Sequence, residues 1–248
     1  MVRIIKSLVR RVLGRFGYEI QRISLATSDA FLEQRRLLQG NEGPVIFDAG
    51  AHRGESVVQY KTLFPGATVF CFEPFPQSYA ALQRATASLA SVHPFNVALS
   101  DRVGEAEFNS NTYTATNSLL TTASEAEAAW PGGSVDTQDR IRVVTTTLDE
   151  FCREHSIAEI DLLKLDVQGA EPLVLKGGEG LLRHGKVRMI YTEILTLPTY
   201  NGQAELDEFL RMMRDYGYEV FNFFNLSTTT SGQLRQLDAI FVPANAPR

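Results

Sequence analysis

Four carboxylates fall where a short apolar run gives way to a turn, which is where an open α/β sheet presents its ligands. Asp48 follows Val45-Ile46-Phe47, Glu73 follows Thr68 to Phe72, Asp166 closes the run from Asp161 to Leu165, and Glu193 follows Val187 to Thr192. A carboxylate at such an edge can accept hydrogen bonds from hydroxyls, hold a cation or take up a proton. Lys164, two positions before Asp166, points to the same face of its strand. Glu171 starts the next helix, where the helix dipole favours a negative charge, so a capping role competes with a role in chemistry.

The first carboxylate sits in Phe47-Asp48-Ala49-Gly50-Ala51-His52-Arg53-Gly54, a strand that runs into a glycine turn and then a helix. Gly50 has no Cβ, so the backbone there can approach a ligand closely. The spacing is Gly-x-x-x-Gly and not the Gly-x-Gly-x-x-Gly of a dinucleotide site. A dinucleotide site wraps a pyrophosphate at a helix N-terminus. Asp48 would repel that anion and suits a cationic group. Glu73 stands 23 positions after Gly50, where a carboxylate can accept both hydroxyls of a ribose, and Pro74 stiffens the turn that follows. Asn96-Val97-Ala98 ends a third strand, where an adenine would lie between apolar side chains.

These positions need a parallel sheet to bring them together, and the chain supplies the alternation that makes one. Strands are predicted at 45–47, 68–72, 92–97, 161–165 and 187–192, with a closing antiparallel pair at 218–224 and 239–242. Helices are predicted at 54–63, 77–90, 148–155, 171–182 (broken late by Gly177-Gly178) and 205–216. Two further short strands, Glu105 to Phe108 and Arg142 to Thr146, flank a polar stretch from Asn109 to Asp139. A loop that long inside one domain is uncommon. It reads as a lid over the substrate or as a plain surface insertion. The predicted fold is therefore α/β, Rossmann-like, with a seven-stranded, mostly parallel sheet and an antiparallel closing strand. An N-terminal helix and a lid-like insertion are added to it.

The bulk properties narrow the class. The chain of 248 residues carries a net charge of −5, against the basic face expected of a nucleic-acid binder. Residues 1–26 are the exception, with Arg3, Lys6, Arg10, Arg11, Arg15 and Arg22 against Glu19 alone. Ile5, Leu8, Val12 and Phe16 recur there at helical spacing, so residues 1–42 read as an amphipathic helical segment ahead of a domain at 43–248. That helix would pack on the domain or touch an anionic membrane peripherally. Cys71 and Cys152 have no CxxC or His partner, so neither a structural metal site nor a disulfide is expected, and a reducing cytoplasm fits. No apolar run is long enough to span a membrane.

Asp48 to Gly54, Phe72-Glu73-Pro74, Asn96-Val97-Ala98, Thr147-Leu148-Asp149, Leu163 to Glu171, Leu175-Lys176-Gly177 and Glu193, in that order, resemble the FkbM-type methyltransferases. The resemblance covers roughly residues 43–220, and its most specific block is Leu163-Lys164-Leu165-Asp166-Val167-Gln168-Gly169-Ala170-Glu171. It implies a class I methyltransferase fold, S-adenosylmethionine as cofactor, and O-methylation of a hydroxyl on a sugar, glycan or polyketide-type product. It places Asp48, Gly50 and Gly54 at the methionine end of the cofactor, with Ala51, His52 and Ser56 beside them. Glu73 and Pro74 fall at the ribose, Asn96, Val97 and Ala98 at the adenine, and Asp166 and Gln168 between cofactor and acceptor. Ser118 matches a pocket position within Asn117-Ser118-Leu119, a partial fit to the family's Ser-Ser-Leu. His52 stands where the family usually has Asn.

A sulfonium methyl is already activated, so the protein's task is in-line placement of the acceptor oxygen and removal of its proton. Asp166, assisted by Glu193, is the expected base, with His52 a third candidate. The same two carboxylates could instead hold Mg²⁺ or another divalent cation that acidifies the hydroxyl. N-methylation of a small molecule, a nucleotide-dependent oxidoreductase or epimerase, and a non-catalytic nucleotide-binding protein are the other readings. Leu195 to Gln203, with Tyr200 and Asn201, and the 109–139 insertion are expected to shape the acceptor pocket. The acceptor's identity and the oligomeric state have no signature in the residues.

Overall fold

The computed structural model describes residues 29–245. The amphipathic, basic stretch read from residues 1–26 lies outside the described residues, and the first described helix follows it. That helix, α1 (Ala30–Leu37), is started by Asp29, whose carboxylate accepts from the backbone of Phe31 and Leu32. Such a cap satisfies donors that a helix start otherwise leaves bare.

Seven strands form the main sheet: β1 (Val45–Ala49), β2 (Thr68–Phe72), β3 (Val92–Phe95), β7 (Leu162–Leu165), β8 (Ile190–Leu195), β9 (Tyr218–Thr228) and β10 (Leu234–Pro243). Their spatial order is β3-β2-β1-β7-β8-β10-β9. The first five pair in parallel, and β10 inserts antiparallel between β8 and β9. The order reverses between β1 and β7, so the carboxyl ends of those two strands open the crevice where such sheets bind ligands. The expected mostly parallel sheet with an antiparallel finish is the sheet observed.

Helices cover both faces, as strands buried on each side require. On one face Ile46, Val69, Cys71 and Leu162 pack with Tyr60 of α2 (Glu55–Leu63), Leu82 of α3 (Pro76–Thr86) and Leu38 beyond α1. On the other, Phe47, Phe72, Leu163 and Leu165 meet Phe151 of α5 (Leu148–Glu154), Val174 of α6 (Glu171–Gly177) and Phe209 of α8 (Leu206–Asp215). Phe47, Phe70, Phe72, Phe95 and Phe151 form one aromatic cluster with centroids 4.8–6.4 Å apart. The helix expected over 171–182 is two, α6 and α7 (Glu179–Arg183). A Cβ at Gly177 would stand 2.0 Å from the Ser100 carbonyl oxygen, so the break lies where the helix presses on backbone.

The single strand expected at 92–97 ends at Phe95. Asn96 bends the chain by donating from Nδ2 to the carbonyls of Glu73 (2.9 Å) and Pro74 (3.0 Å). Ala98 and Leu99 then form β4 of a second sheet, order β4-β6-β5, with β5 (Gly104–Asn111) and β6 (Thr137–Thr146). Both strands run further than their apolar residues indicated. β5 reaches three residues into the polar insertion, where Asn109, Ser110 and Asn111 are buried, and β6 starts three residues inside it; the short helix α4 (Ala126–Ala129) lies between them.

Candidate functional site

Two ionic contacts organise the crevice. Asp48 and Lys164 are register partners on β1 and β7. Lys164 Nζ lies 3.0 Å from Asp48 Oδ1 and 3.3 Å from Asp166 Oδ2. Ser56 Oγ donates to the other Asp48 oxygen. Burial works against the Lys164 charge, but the Asp48 and Asp166 carboxylates more than offset it and its pKa is raised. Lys164 is therefore a cation and no base. Asp48 is fully buried beneath it, so this carboxylate sits behind the cavity wall and acts through Lys164 and Ser56.

Above this pair lies a cavity of about 230 Å³. The turn after β1 lines it with Gly50, Ala51, His52, Glu55 and Ser56, the turn after β2 with Glu73 and Pro74, and the β7 end with Lys164, Asp166, Val167 and Gln168. Gly50 has φ +77°, and a Cβ there would stand 1.9 Å from the Asp166 carbonyl oxygen, so only glycine lets these strand ends close on each other. Glu73 accepts His52 N on Oε2 at 2.9 Å and Phe75 N on Oε1 at 2.8 Å. Each oxygen keeps a lone pair for a ligand hydroxyl. Burial pushes this carboxyl up to about 7, against the two backbone donors that lower it.

The remaining wall comes from Ala98, Leu99, Phe108 of β5 and the insertion, which contributes Thr114, Ala115, Asn117 and Leu119. The long polar stretch is thus no plain surface insertion. His52 Nε2 lies 3.0 Å from Thr114 Oγ1, fastening the insertion to the glycine turn. Desolvation lowers the His52 pKa, with Glu55 raising it in part. Asn109 Nδ2 donates to Leu120 O at 2.9 Å, and Asn111 N to Asn117 Oδ1 at 2.8 Å. On the far side, Ala123 N donates to Thr199 O at 2.9 Å and Trp130 Nε1 to Thr199 Oγ1 at 3.0 Å. The Arg235 guanidinium lies over the Trp130 ring, 4.3 Å from its centroid.

Not every residue singled out from the sequence faces the cavity. Gly54 stands at the start of α2, where its missing Cβ admits Leu82 of α3 at 3.0 Å. Asn96 ties down the Glu73–Pro74 turn, and Val97 packs on the core. Ser118 is buried, its Oγ donating to the Gln168 carbonyl at 2.7 Å. Glu193 stands one strand away from the cavity and meets it through Gln168, whose Nε2 lies 2.9 Å from Glu193 Oε2 and 3.0 Å from Asp166 Oδ1. Desolvation and then the Asp166, Glu171 and Asp238 carboxylates hold the Glu193 pKa well above the usual range. Glu171 accepts Val167 N at 2.9 Å and closes the turn ahead of its helix, outside the cavity lining. Tyr200 is buried, and Asn201 Nδ2 bonds Thr121 Oγ1 at 2.9 Å and the Thr122 carbonyl at 3.1 Å. Both therefore hold the insertion in place. Lys164, Thr114, Asn117 and Leu119 were not singled out as site residues. The i, i+2 spacing of Lys164 and Asp166 was a signal for the first, and the unusual length of the insertion a general signal for the others.

The family model described as the methyltransferase FkbM domain matches residues 48–220, from the first strand-end carboxylate into β9. The chain belongs to the FkbM methyltransferase family. Like its relatives it is an S-adenosylmethionine-dependent methyltransferase. It is 33% identical over 181 residues to the 2-O-methyltransferase NoeI of Sinorhizobium fredii, covering 70% of this chain and 72% of that one. It is 28% identical over 197 residues to the 31-O-demethyl-FK506 methyltransferase FkbM of Streptomyces tacrolimicus, covering 72% and 74%. Among solved structures, methyltransferase FkbM from Methylobacillus flagellatus superposes with a TM-score of 0.52 at 14% identity. That match covers 83% of this chain and spans 45% of that protein's length, and it shows the shared fold.

The residues present fit an S-adenosylmethionine cofactor. Gly50 and Ala51 keep the cavity wall free of large side chains, the Glu73 carboxylate offers two lone pairs there, and Ala98, Leu99, Phe108 and Leu119 make an apolar slot. The donor set does not fit a divalent ion. Gln168 puts an N–H donor between Asp166 and Glu193, and among the described residues no group of three or more His, Cys, Asp or Glu is placed to hold a metal.

Proposed function

We propose that the protein transfers a methyl group to a hydroxyl of a sugar, a glycan or a glycosylated or polyketide product. The observation that carries this reading is the Asp166 carboxylate, lining the cavity with its side chain 41% exposed and held between two donors, Lys164 and Gln168. The names of two relatives, a 2-O-methyltransferase and a 31-O-demethyl-FK506 methyltransferase, support oxygen as the acceptor atom.

Bound S-adenosylmethionine supplies an activated methyl. In this reading Glu73 would accept its ribose hydroxyls, Ala98, Phe108 and Leu119 would enclose its base, and Lys164 would hold its carboxylate end. Asp166 would accept the proton of the acceptor hydroxyl as its oxygen takes the methyl and the methyl–sulfur bond breaks, releasing a neutral thioether. Its two donors fix its plane. Glu193 steadies Gln168 from the next strand. General-base action of this kind contributes about 10²–10⁴-fold.

The test is transfer of labelled methyl to a panel of saccharides and macrolide alcohols by the wild type, Asp166→Asn and Glu193→Gln. Loss of about a hundredfold or more in turnover for Asp166→Asn, with cofactor affinity kept, supports the reading. Full turnover in Asp166→Asn overturns it and favours an amine acceptor, which needs less help from a base. A divalent ion would have to displace the Gln168 amide; inhibition by EDTA that Mg²⁺ reverses would establish that route instead.

A further inference from the structure

Gln168 stands in the left-handed backbone region at φ +55°, followed by Gly169 at φ +88°. Side-chain-bearing residues seldom adopt that conformation, and one that does is held there by its surroundings. The turn brings the Gln168 amide against the strand-end carboxylates, with Nε2 3.0 Å from Asp166 Oδ1 and 2.9 Å from Glu193 Oε2. Both oxygens meet the same end of the amide, which is assigned as its N–H donor end. Oε1 then faces the Tyr200 hydroxyl, whose single proton is shared between the Thr116 carbonyl at 2.7 Å and Oε1 at 3.2 Å. The Gln168 carbonyl receives Ser118 Oγ at 2.7 Å.

Every polar group of this residue except its own N–H is therefore engaged with a different part of the fold. Asp166 belongs to the end of β7 and Glu193 to β8. Tyr200 belongs to the segment after β8, and Thr116 and Ser118 to the insertion. The same short stretch of the insertion supplies Thr114, Ala115, Asn117 and Leu119 to the cavity wall. Lifting it would break the Ser118 bond and loosen the Tyr200 bond together, and so free the amide that holds Asp166 from one side.

We infer that Gln168 is a positioning residue which ties the seating of the insertion over the cavity to the orientation of the Asp166 carboxylate. The inference rests on the function proposed above, because it takes Asp166 to face the cofactor and acceptor. A glutamine that served folding alone would affect stability without affecting how the site tells a cationic ligand from a neutral one. A positioning glutamine affects both the insertion and that discrimination. S-Adenosylmethionine carries a sulfonium cation and S-adenosylhomocysteine a neutral thioether, so the ratio of their affinities reads the carboxylate beside them.

The experiment is calorimetric titration of the wild type, Gln168→Met and Tyr200→Phe with each of the two ligands, alongside amide hydrogen exchange over residues 112–120. Gln168→Met keeps the side-chain length and removes both donors and the acceptor. Tyr200→Phe removes only the bonds at Oε1 and at Thr116, and stands in if the first variant does not fold. The expected result is exchange at least about tenfold faster over 112–120, together with a severalfold fall in the affinity ratio, larger for Gln168→Met. Faster exchange with an unchanged ratio, or no change in either, overturns the inference while leaving the cofactor reading in place. A wild type that binds neither ligand removes the cofactor reading, and this inference with it.

Discussion

Asp48 on β1 and Lys164 on β7 are register partners across the point where the strand order reverses, and their charged groups meet at 3.0 Å beneath the cavity floor. The pair closes the crevice from below and leaves Asp166 as the carboxylate that faces upward. Breaking a buried ion pair by removing one partner strands the other, at a cost of about 3–5 kcal/mol. Lys164→Met should lose stability on that scale in denaturant unfolding, and the double variant with Asp48→Asn should recover part of it. A loss below about 1 kcal/mol would mean that Asp48 finds another partner.

The close approach at the first turn gives a second expectation. In Gly50→Ala the added Cβ would meet the Asp166 carbonyl at 1.9 Å, in a backbone conformation already at φ +77°. Neither strand end can yield without breaking sheet pairing, so the variant should lose more than about 2 kcal/mol and bind no cofactor. Wild-type affinity for S-adenosylhomocysteine in this variant would show that the turn can open.

The pH dependence of stability has a sign fixed by burial. Glu73 and Glu171 both have carboxyls pushed from 4.5 to about 7, chiefly by desolvation. The native state then holds their protons more tightly than the unfolded chain does. The stabilisation is full below about 4.5 and is lost as the pH rises to about 7, up to about 3 kcal/mol for each group. Glu171→Gln should flatten the slope of unfolding free energy between those limits. An unchanged slope would show that Glu171 does not carry it.

Cofactor binding should run the opposite way with pH. Ribose hydroxyls donate best to an ionised Glu73, so affinity for S-adenosylhomocysteine should fall by up to about tenfold per unit as the pH drops below 7. Glu73→Gln should bind more weakly and lose that dependence. A Glu73→Gln variant with the wild-type profile would move the titration to another group.

Trp130 marks the far anchor of the insertion, bonded to Thr199 and covered by Arg235. Trp130→Ala should leave the cofactor cavity intact but speed ligand release severalfold, seen as a faster dissociation rate in stopped flow. An unchanged rate would make the anchor irrelevant to access.

Residue types made the strand-end carboxylates visible, because a short continuous apolar run ending in Asp or Glu is a local pattern. Thr147-Leu148-Asp149 and Leu175-Lys176-Gly177 were equally visible, and the structure gives them packing roles. Thr147 caps α5, Asp149 receives Gly180 N and Leu181 N of α7, and Gly177 lets α6 press on Ser100. What stayed hidden is non-local. That Asp48 lies under Lys164, and that Thr114 reaches His52, depends on pairings 116 and 62 residues apart. The insertion was unreadable for a further reason. It is pinned largely by Asn, Ser and Thr side chains, whose bonds to backbone leave no periodicity in the sequence.

Calorimetric titration of S-adenosylhomocysteine into the wild type and Glu73→Ala tests the central claim most directly, with NADH as a control ligand. The account predicts micromolar binding by the wild type and a loss of at least about a hundredfold in the variant, since two charge-assisted hydrogen bonds of about 1.5–3 kcal/mol each disappear. NADH should not bind either protein. Equal affinity in the two proteins, or no binding by the wild type, would contradict the assignment of this crevice as the cofactor site.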